Sequence, residues 1–259
     1  MKRVEFFDSH SHYNDEKFDS IRDKLIEDTY FAGVTKFICA GYDIPSSKLA
    51  IELAEKYSYI YAICGISPND IEDIQDEDYN EIIDIARNKK VVAIVEIGLD
   101  YYWNKENSKK QKQAFIKQID IANNLNLPIV IHTRDAIIDT IDILKNKINC
   151  INKGVFHCCP QNIELIKEAL KLGFYISFAG PITFKNAKNA DTVIKEVPMD
   201  RILIETDSPY LSPEPLRGTL NDSRNVKYVA EKIAKVKELS IEEVANKTYE
   251  NAKKIFKIE

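Results

Sequence analysis

Eight short apolar runs recur along the 259-residue chain, each followed by a stretch whose apolar residues return at helical spacing. The runs cover residues 4–10, 36–41, 60–66, 91–98, 128–133, 154–158, 174–180 and 201–207. Between them, Phe115, Ile119 and Ala122 form one helical stripe, Ile137, Ile141 and Leu144 a second, and Val226, Val229, Ala230 and Ile233 a third. Gly33 and Gly173 stand where helices stop. Strands that alternate with helices form a parallel sheet, because parallel neighbours need a long crossover between them. The unbroken apolar run Val91-Val92-Ala93-Ile94-Val95 suits a sheet covered on both faces. A doubly wound open sheet rarely needs eight units and usually brings a Gly-x-Gly-x-x-Gly turn, which does not occur here. The pattern predicts α/β architecture: a closed (β/α)8 TIM barrel forming one domain over residues 1–259. Ser240 and Glu243 have capping-box spacing, so residues 241–256 are expected to add one C-terminal helix.

Carboxylates outnumber Lys plus Arg by 41 to 36. A nucleic acid would therefore have to be held by a local site rather than by a basic surface. Five cysteines without Cys-x-x-Cys spacing fit a reducing compartment. The segment from Met1 to Asp8 meets an acid before any apolar signal core can form, and the apolar runs are too short to cross a bilayer. The expectation is a cytoplasmic protein with no membrane association and no obligate protein partner.

In a parallel barrel the chemistry gathers at the C-terminal strand ends. The first run ends in Asp8-Ser9-His10-Ser11-His12, the fourth passes into Glu96, the fifth ends at His132, the sixth at His157 and the eighth at Asp207. All four histidines of the chain thus fall at strand ends, with Glu96 and Asp207 at the same level. Each alone has an ordinary structural explanation, but burying six such groups unpaired would cost several kcal/mol, which bound divalent cations would offset. Imidazoles mixed with carboxylates suit Zn²⁺ or Mn²⁺ better than an all-oxygen Ca²⁺ site. Six ligands exceed the three usual for one catalytic zinc and suffice for two ions about 3.5–4 Å apart, a pair suited to activating water for hydrolysis. Glu205 and Asp8 share strand parity with Asp207 and His10 and are expected to support these ligands rather than to join them.

The strings Val95-Glu96-Ile97-Gly98-Leu99-Asp100, Ile131-His132-Thr133-Arg134-Asp135 and above all Ile204-Glu205-Thr206-Asp207-Ser208-Pro209-Tyr210-Leu211 resemble the TatD-type metal-dependent deoxyribonucleases of the amidohydrolase superfamily. The resemblance covers nearly the whole chain. It implies a distorted barrel that hydrolyses DNA phosphodiesters, in some members as a 3′-to-5′ exonuclease acting at single-stranded ends, with two divalent cations drawn from Zn²⁺, Mn²⁺ and Mg²⁺. Carried over by residue, His10, His12 and Asp207 would hold one cation and His132 and His157 the other. Glu96 would bridge them, and Asp207 would also act as general base.

The family pattern is broken at the rim. Gly-x-His-Pro is replaced by Gly65-Ile66-Ser67-Pro68, so Ser67 stands where relatives bring an imidazole to the substrate phosphate. The basic loop after strand 8 keeps Arg217 but reads Gly218-Thr219-Leu220-Asn221-Asp222 beyond it. Ser67, Arg134, Tyr101 and Arg217 are the expected substrate contacts. Pairing of Arg134 with Asp135 and packing of at least one of Tyr101, Tyr102 and Trp103 as a lid are the alternatives. Phe178 and Phe184 are further rim candidates, while Cys158 and Cys159 are expected to pack rather than to bind metal. The thinned basic loop leaves open an ester or amide hydrolase, such as one that removes a D-amino acid from tRNA. A non-catalytic binding barrel would be marked by a missing ligand, and none is missing.

Overall fold

The computed structural model describes residues 3–259; Met1 and Lys2, where the segment read for targeting begins, lie outside the described residues. The eight strands are β1 (Phe6–Ser11), β2 (Val34–Ala40), β3 (Ile60–Cys64), β4 (Val91–Asp100), β5 (Ile129–Arg134), β6 (Gly154–Phe156), β7 (Tyr175–Phe178) and β8 (Ile202–Ile204). They lie side by side in chain order, every neighbouring pair parallel. Backbone hydrogen bonds from Asp207 N to His10 O (3.0 Å) and from His12 N to Ser208 O (2.7 Å) then join the last strand's end to the first. The result is a (β/α)8 barrel whose closing seam carries three of the proposed ligands.

The crossovers are α1 (Arg22–Ala32), α2 (Ile44–Lys56), α3 (Asp76–Ala86), α4 (Ser108–Leu125), α5 (Ile137–Asp142), α6 (Ile163–Lys171) and α7 (Ala190–Glu196). After β8 come α8 (Val226–Lys237) and α9 (Ile241–Phe256). Strand alternation separates two apolar layers. Phe37, Cys39, Ile129, Ile131 and Ile176 face outward and pack with residues of α1 to α8. Ile38, Ala40, Val130, Val155 and Leu203 face the barrel interior, where Phe7 joins them. The only helical partners of that inner layer among the described residues are Ala252, Phe256 and their neighbours in α9.

Helix α9 therefore closes the barrel at the N-terminal ends of the strands, opposite the histidines. Asn251 fixes it there by donating to Met199 O and Ile202 O, at the start of β8. Its capping box forms as the spacing predicts: Glu243 N donates to Ser240 Oγ, and the Glu243 carboxylate accepts from Ser240 N. No helix among the described residues is long and apolar enough to cross a membrane.

Two of the register slips between neighbouring strands bear on the site. The pairing of β1 with β2 slips between Asp8 and Ser11, and that of β4 with β5 slips between Ile94 and Ile97. Such slips re-aim side chains. Here they fall at His10 and Glu96, and β4 runs on past Glu96 to Asp100 instead of ending there.

Candidate metal centre

His10, His12, Glu96, His132, His157 and Asp207 converge at one end of the barrel, five of them lining a cavity of about 720 Å³ with His10 buried behind it. His10 Nε2 lies 2.8 Å from Glu96 Oε1 and 3.3 Å from His12 Nε2. His12 Nε2 is 3.1 Å from Glu96 Oε1 and 3.3 Å from Asp207 Oδ1. On the other side, His132 Nδ1 lies 3.3 Å from His157 Nε2. Donor atoms of His10, His12, Glu96 and Asp207 fall within 4.8 Å of one another, as do those of Glu96, His132 and His157. Glu96 belongs to both groups.

The backbone delivers these groups by different means. His132 sits inside β5, whereas His157 follows β6 just before Cys158, which turns the chain with φ +38°. Asp207 lies beyond β8 with φ +56°, so a left-handed turn, not strand parity, aims it inward. Asn221 clamps that turn, donating to Thr206 O (3.0 Å) and Tyr210 O (2.6 Å).

Several partners orient the ligand candidates from behind. His12 donates Nδ1–H to Ala40 O (3.0 Å), which leaves Nε2 facing the cluster. Asp100 Oδ2 stands 2.9 Å from His132 Nε2, leaving Nδ1 inward. Buried Glu205 accepts from Cys158 N (2.6 Å) and lies 3.4 Å from His157 Nδ1. Asp8 accepts from the backbone of His10 and Thr206, bracing the seam. Gln111 bonds both N and O of Asp100, and Gln118 both N and O of Ile66, fixing the ends of β4 and of the segment leading to Ser67.

The electrostatics follow from burial and crowding. Burial pushes Asp8 and Glu205 up to about 7. Burial also disfavours charge on Glu96, but hydrogen bonds to His10 and His12 outweigh it and hold this carboxyl well below its ordinary value. Burial would lower His12, yet its bonds to Asp207 and Glu96 hold it well above; His10 is lowered, by burial first and then by His157. The buried Nδ1 atoms of His10 and His157 and Oε2 of Glu205 have no hydrogen-bond partner among the described residues. Imidazole nitrogens aimed at one another and at a shared carboxylate need a proton or a cation between them. The donor set, nitrogen and oxygen in two groups sharing Glu96 and a third that joins His10 and His157 with Glu205, fits divalent cations.

Around the mouth the expected contacts separate. Buried Ser67 lines the cavity beside Tyr42, Asn69 and Asp70, and its Oγ accepts from Asn69 N (3.1 Å). Arg134 also lines it, but no ion pair joins it to Asp135 among the described residues. Its guanidinium instead stacks on Tyr102 at 3.7 Å and lies 5.6 Å from the Trp103 ring. Tyr101 turns away from the metal cavity and donates to Asp139 (2.7 Å), so it is the packed member of the aromatic trio. Arg217 lies over Phe184 at 3.5 Å, in a neighbouring hollow that shares Tyr210 and Leu211 with the metal cavity. Phe178 is not on the rim at all but wholly buried in the core. Cys158 borders the cavity, and Cys159 is buried with its thiol pushed up by burial.

Asp100, Asn221, Gln111 and Gln118 were not identifiable as site residues from the sequence. Only Asp100 carried a signal, its place near the end of the fourth run. Asp100→Asn is expected to weaken metal retention and activity about 10- to 100-fold by freeing the His132 ring. Titration of the metal-stripped variant against a metallochromic competitor checks this, and unchanged affinity would exclude an orienting role.

A histidine–carboxylate cluster at the C-terminal end of a (β/α)8 barrel defines a metal-dependent hydrolase. The family model described as TatD related DNase matches residues 7–257. The uncharacterized metal-dependent hydrolase YabD of Bacillus subtilis is 45% identical over 252 residues, covering 97% of this chain and 99% of its own. YcfH of Escherichia coli, also an uncharacterized metal-dependent hydrolase, is 36% identical over 258 residues, covering 97% and 96%. The crystal structure of YJJV, a TatD homolog from Escherichia coli, superposes with a TM-score of 0.93 at 25% identity and 99% coverage of both chains. The chain belongs to the TatD family of metal-dependent hydrolases.

Proposed function

We propose that the protein is a deoxyribonuclease that hydrolyses phosphodiesters at single-stranded DNA ends in the 3′-to-5′ direction. One observation carries the reading: one cation lining the metal cavity and two more beside it are each held over an aromatic ring. These are Arg134 on Tyr102, Arg217 on Phe184 and Lys17 on Tyr210, the last at 4.0 Å. Cations held against rings at the surface, Tyr102 and Tyr210 exposed and Phe184 half-buried, suit a strand offering phosphates and unstacked bases in a chain of net charge −5. They do not suit a rigid duplex, which a broad basic surface would hold.

In this reading His10, His12, Glu96, His132, His157 and Asp207 would hold the divalent cations, with Glu96 placed to serve both groups. Bound there, the cations supply Lewis acidity and an activated water. Asp207, fixed by the Asn221-clamped turn, accepts the proton of the attacking water. His12 and His132 are oriented by Ala40 O and Asp100, so their inward nitrogens stay available. Arg134 offers its N–H edge to a phosphate while its face rests on Tyr102. Ser67 and Asn69 contribute neutral hydrogen bonds where relatives place an imidazole. The unpaired cysteines agree with a cytoplasmic location.

The test strips the protein with chelator, restores Mn²⁺, Mg²⁺ or Zn²⁺, and supplies single-stranded DNA labelled at its 5′ end. Stepwise shortening from the 3′ end is expected with at least one metal. No shortening beyond that of a Glu96→Ala control, with every metal, would refute the proposal. The Ser67 wall favours one other reading. With Tyr42, Asn69 and Asp70 it carries no cation, and Asp70 could receive the ammonium group of an aminoacyl ester. Release of the amino acid from D-aminoacyl-tRNA, with DNA left intact, would select that activity.

A further inference from the structure

A second cavity, of about 770 Å³, opens beside the metal cavity and shares Thr133, Arg134 and Pro160 with it. Its volume falls within the roughly 300–1,000 Å³ typical of small-molecule sites. None of the six metal-ligand candidates lines it, and the chemistry at the metal centre does not require it. Ile138 at its rim is 85% exposed, although Ile137 beside it packs against the core. A β-branched apolar side chain held in water at a cavity mouth contributes nothing to the fold and offers a contact to a flat apolar group.

The ridge between the cavities is Arg134. Stacking on Tyr102 uses the face of its guanidinium and leaves the N–H edge free, and the side chain is exposed. Lys105, outside any ion pair among the described residues, lines the far side of the second cavity. The polar edge is otherwise set by Asp135, Asn162 and Glu164, which suit the amino and ring N–H groups of a base rather than a phosphate. Asp139 is already paired with Lys112 (2.7 Å) and Tyr101. Apolar rim, hydrogen-bonding edge and the cations Arg134 and Lys105 in one lining make a pattern that suits a nucleotide rather than an isolated ion.

Resting on the phosphodiesterase reading above, we propose that the second cavity holds the nucleotide next to the one cleaved, with Arg134 taking the phosphate between them. The substrate strand then runs from the metal centre over Arg134 and down past Ile138, with Lys105 meeting the following phosphate. This sets a minimum substrate: full catalytic efficiency requires a nucleotide beyond the scissile bond on that side.

The experiment uses the metal-loaded enzyme and a length series: thymidine 5′-(4-nitrophenyl phosphate), then oligothymidylates of two to eight nucleotides. The kcat/KM of the wild type is expected to rise about tenfold from the chromogenic ester to the trinucleotide and little thereafter. Ile138→Glu and Lys105→Glu alter exposed side chains, so both variants fold. Each is expected to remove most of that rise by raising KM for the oligonucleotides, so the ratio of oligonucleotide to ester efficiency falls several-fold. Cleavage of all substrates without a length dependence, or a rise that survives in both variants, overturns the subsite and leaves the nuclease reading standing. No cleavage of any phosphodiester with any metal overturns the nuclease reading and this inference with it.

Discussion

Glu96→Gln is expected to lower metal-dependent hydrolysis by at least about 10³-fold while leaving the protein folded. Glu96 Oε1 lies within 3.1 Å of the Nε2 atoms of both His10 and His12, and the same carboxylate belongs to the His132–His157 group. An amide of the same shape keeps the packing but loses the negative charge that two cations would share. Deleting one member of a buried charged cluster usually destabilises strongly, because the remaining charge is stranded. Here the strain has an outlet. His12 is held well above its ordinary value by Asp207 and Glu96, after burial has worked against it. With Glu96 neutral, His12 sheds its proton more readily, so the cluster relaxes without opening the barrel. Elemental analysis after dialysis should find less metal than in the wild type, with a melting temperature close to that of the chelator-stripped wild type. Full metal content and activity within tenfold of wild type would show that Glu96 is not shared between the two groups.

The parts of this molecule that could be read from sequence are those that repeat or that need a particular residue type. The eight strands came from apolar runs, and α9 came from a capping box whose two hydrogen bonds are formed. The strand-end histidines were legible because imidazole is scarce in this chain and has few structural uses there. What escaped depends on irregular backbone. The slips in β1 and β4 have no signature in residue type, yet they fall at His10 and Glu96. Asp207 reaches the cavity by a left-handed turn, and that turn is held by Asn221, which sits in the same loop whose lost basic residues drew attention to substrate binding. Tyr101 follows a strand and Phe178 borders a rim loop, places that suggest rim aromatics, but a side chain's direction there depends on the turn that follows.

Gly98→Ala is expected to destabilise the protein by more than about 4 kcal/mol and to displace His132. Gly98 pairs with His132 across β4 and β5, two residues after Glu96. A Cβ at Gly98 would stand 1.9 Å from the His132 carbonyl oxygen and 3.0 Å from its carbonyl carbon. Both obstacles are backbone, so no rotamer change relieves the clash; the strands must separate where a ligand candidate is mounted. The φ of +146° adds strain of its own, since side chains other than glycine's rarely occupy that region. Gly218→Ala separates the two causes. Gly218 has φ +83° with nothing within 4 Å of a built Cβ, so only the conformational cost of about 1–2 kcal/mol applies. Denaturant melts of both variants should differ chiefly by the steric clash, with a smaller part from the more restricted backbone of Gly98. A Gly98→Ala midpoint as mild as that of Gly218→Ala would mean that β4 and β5 can part without cost. The centre would then owe its geometry to the cations it binds and not to the barrel, a result that metal-free and metal-loaded melts of the same variant would tell apart.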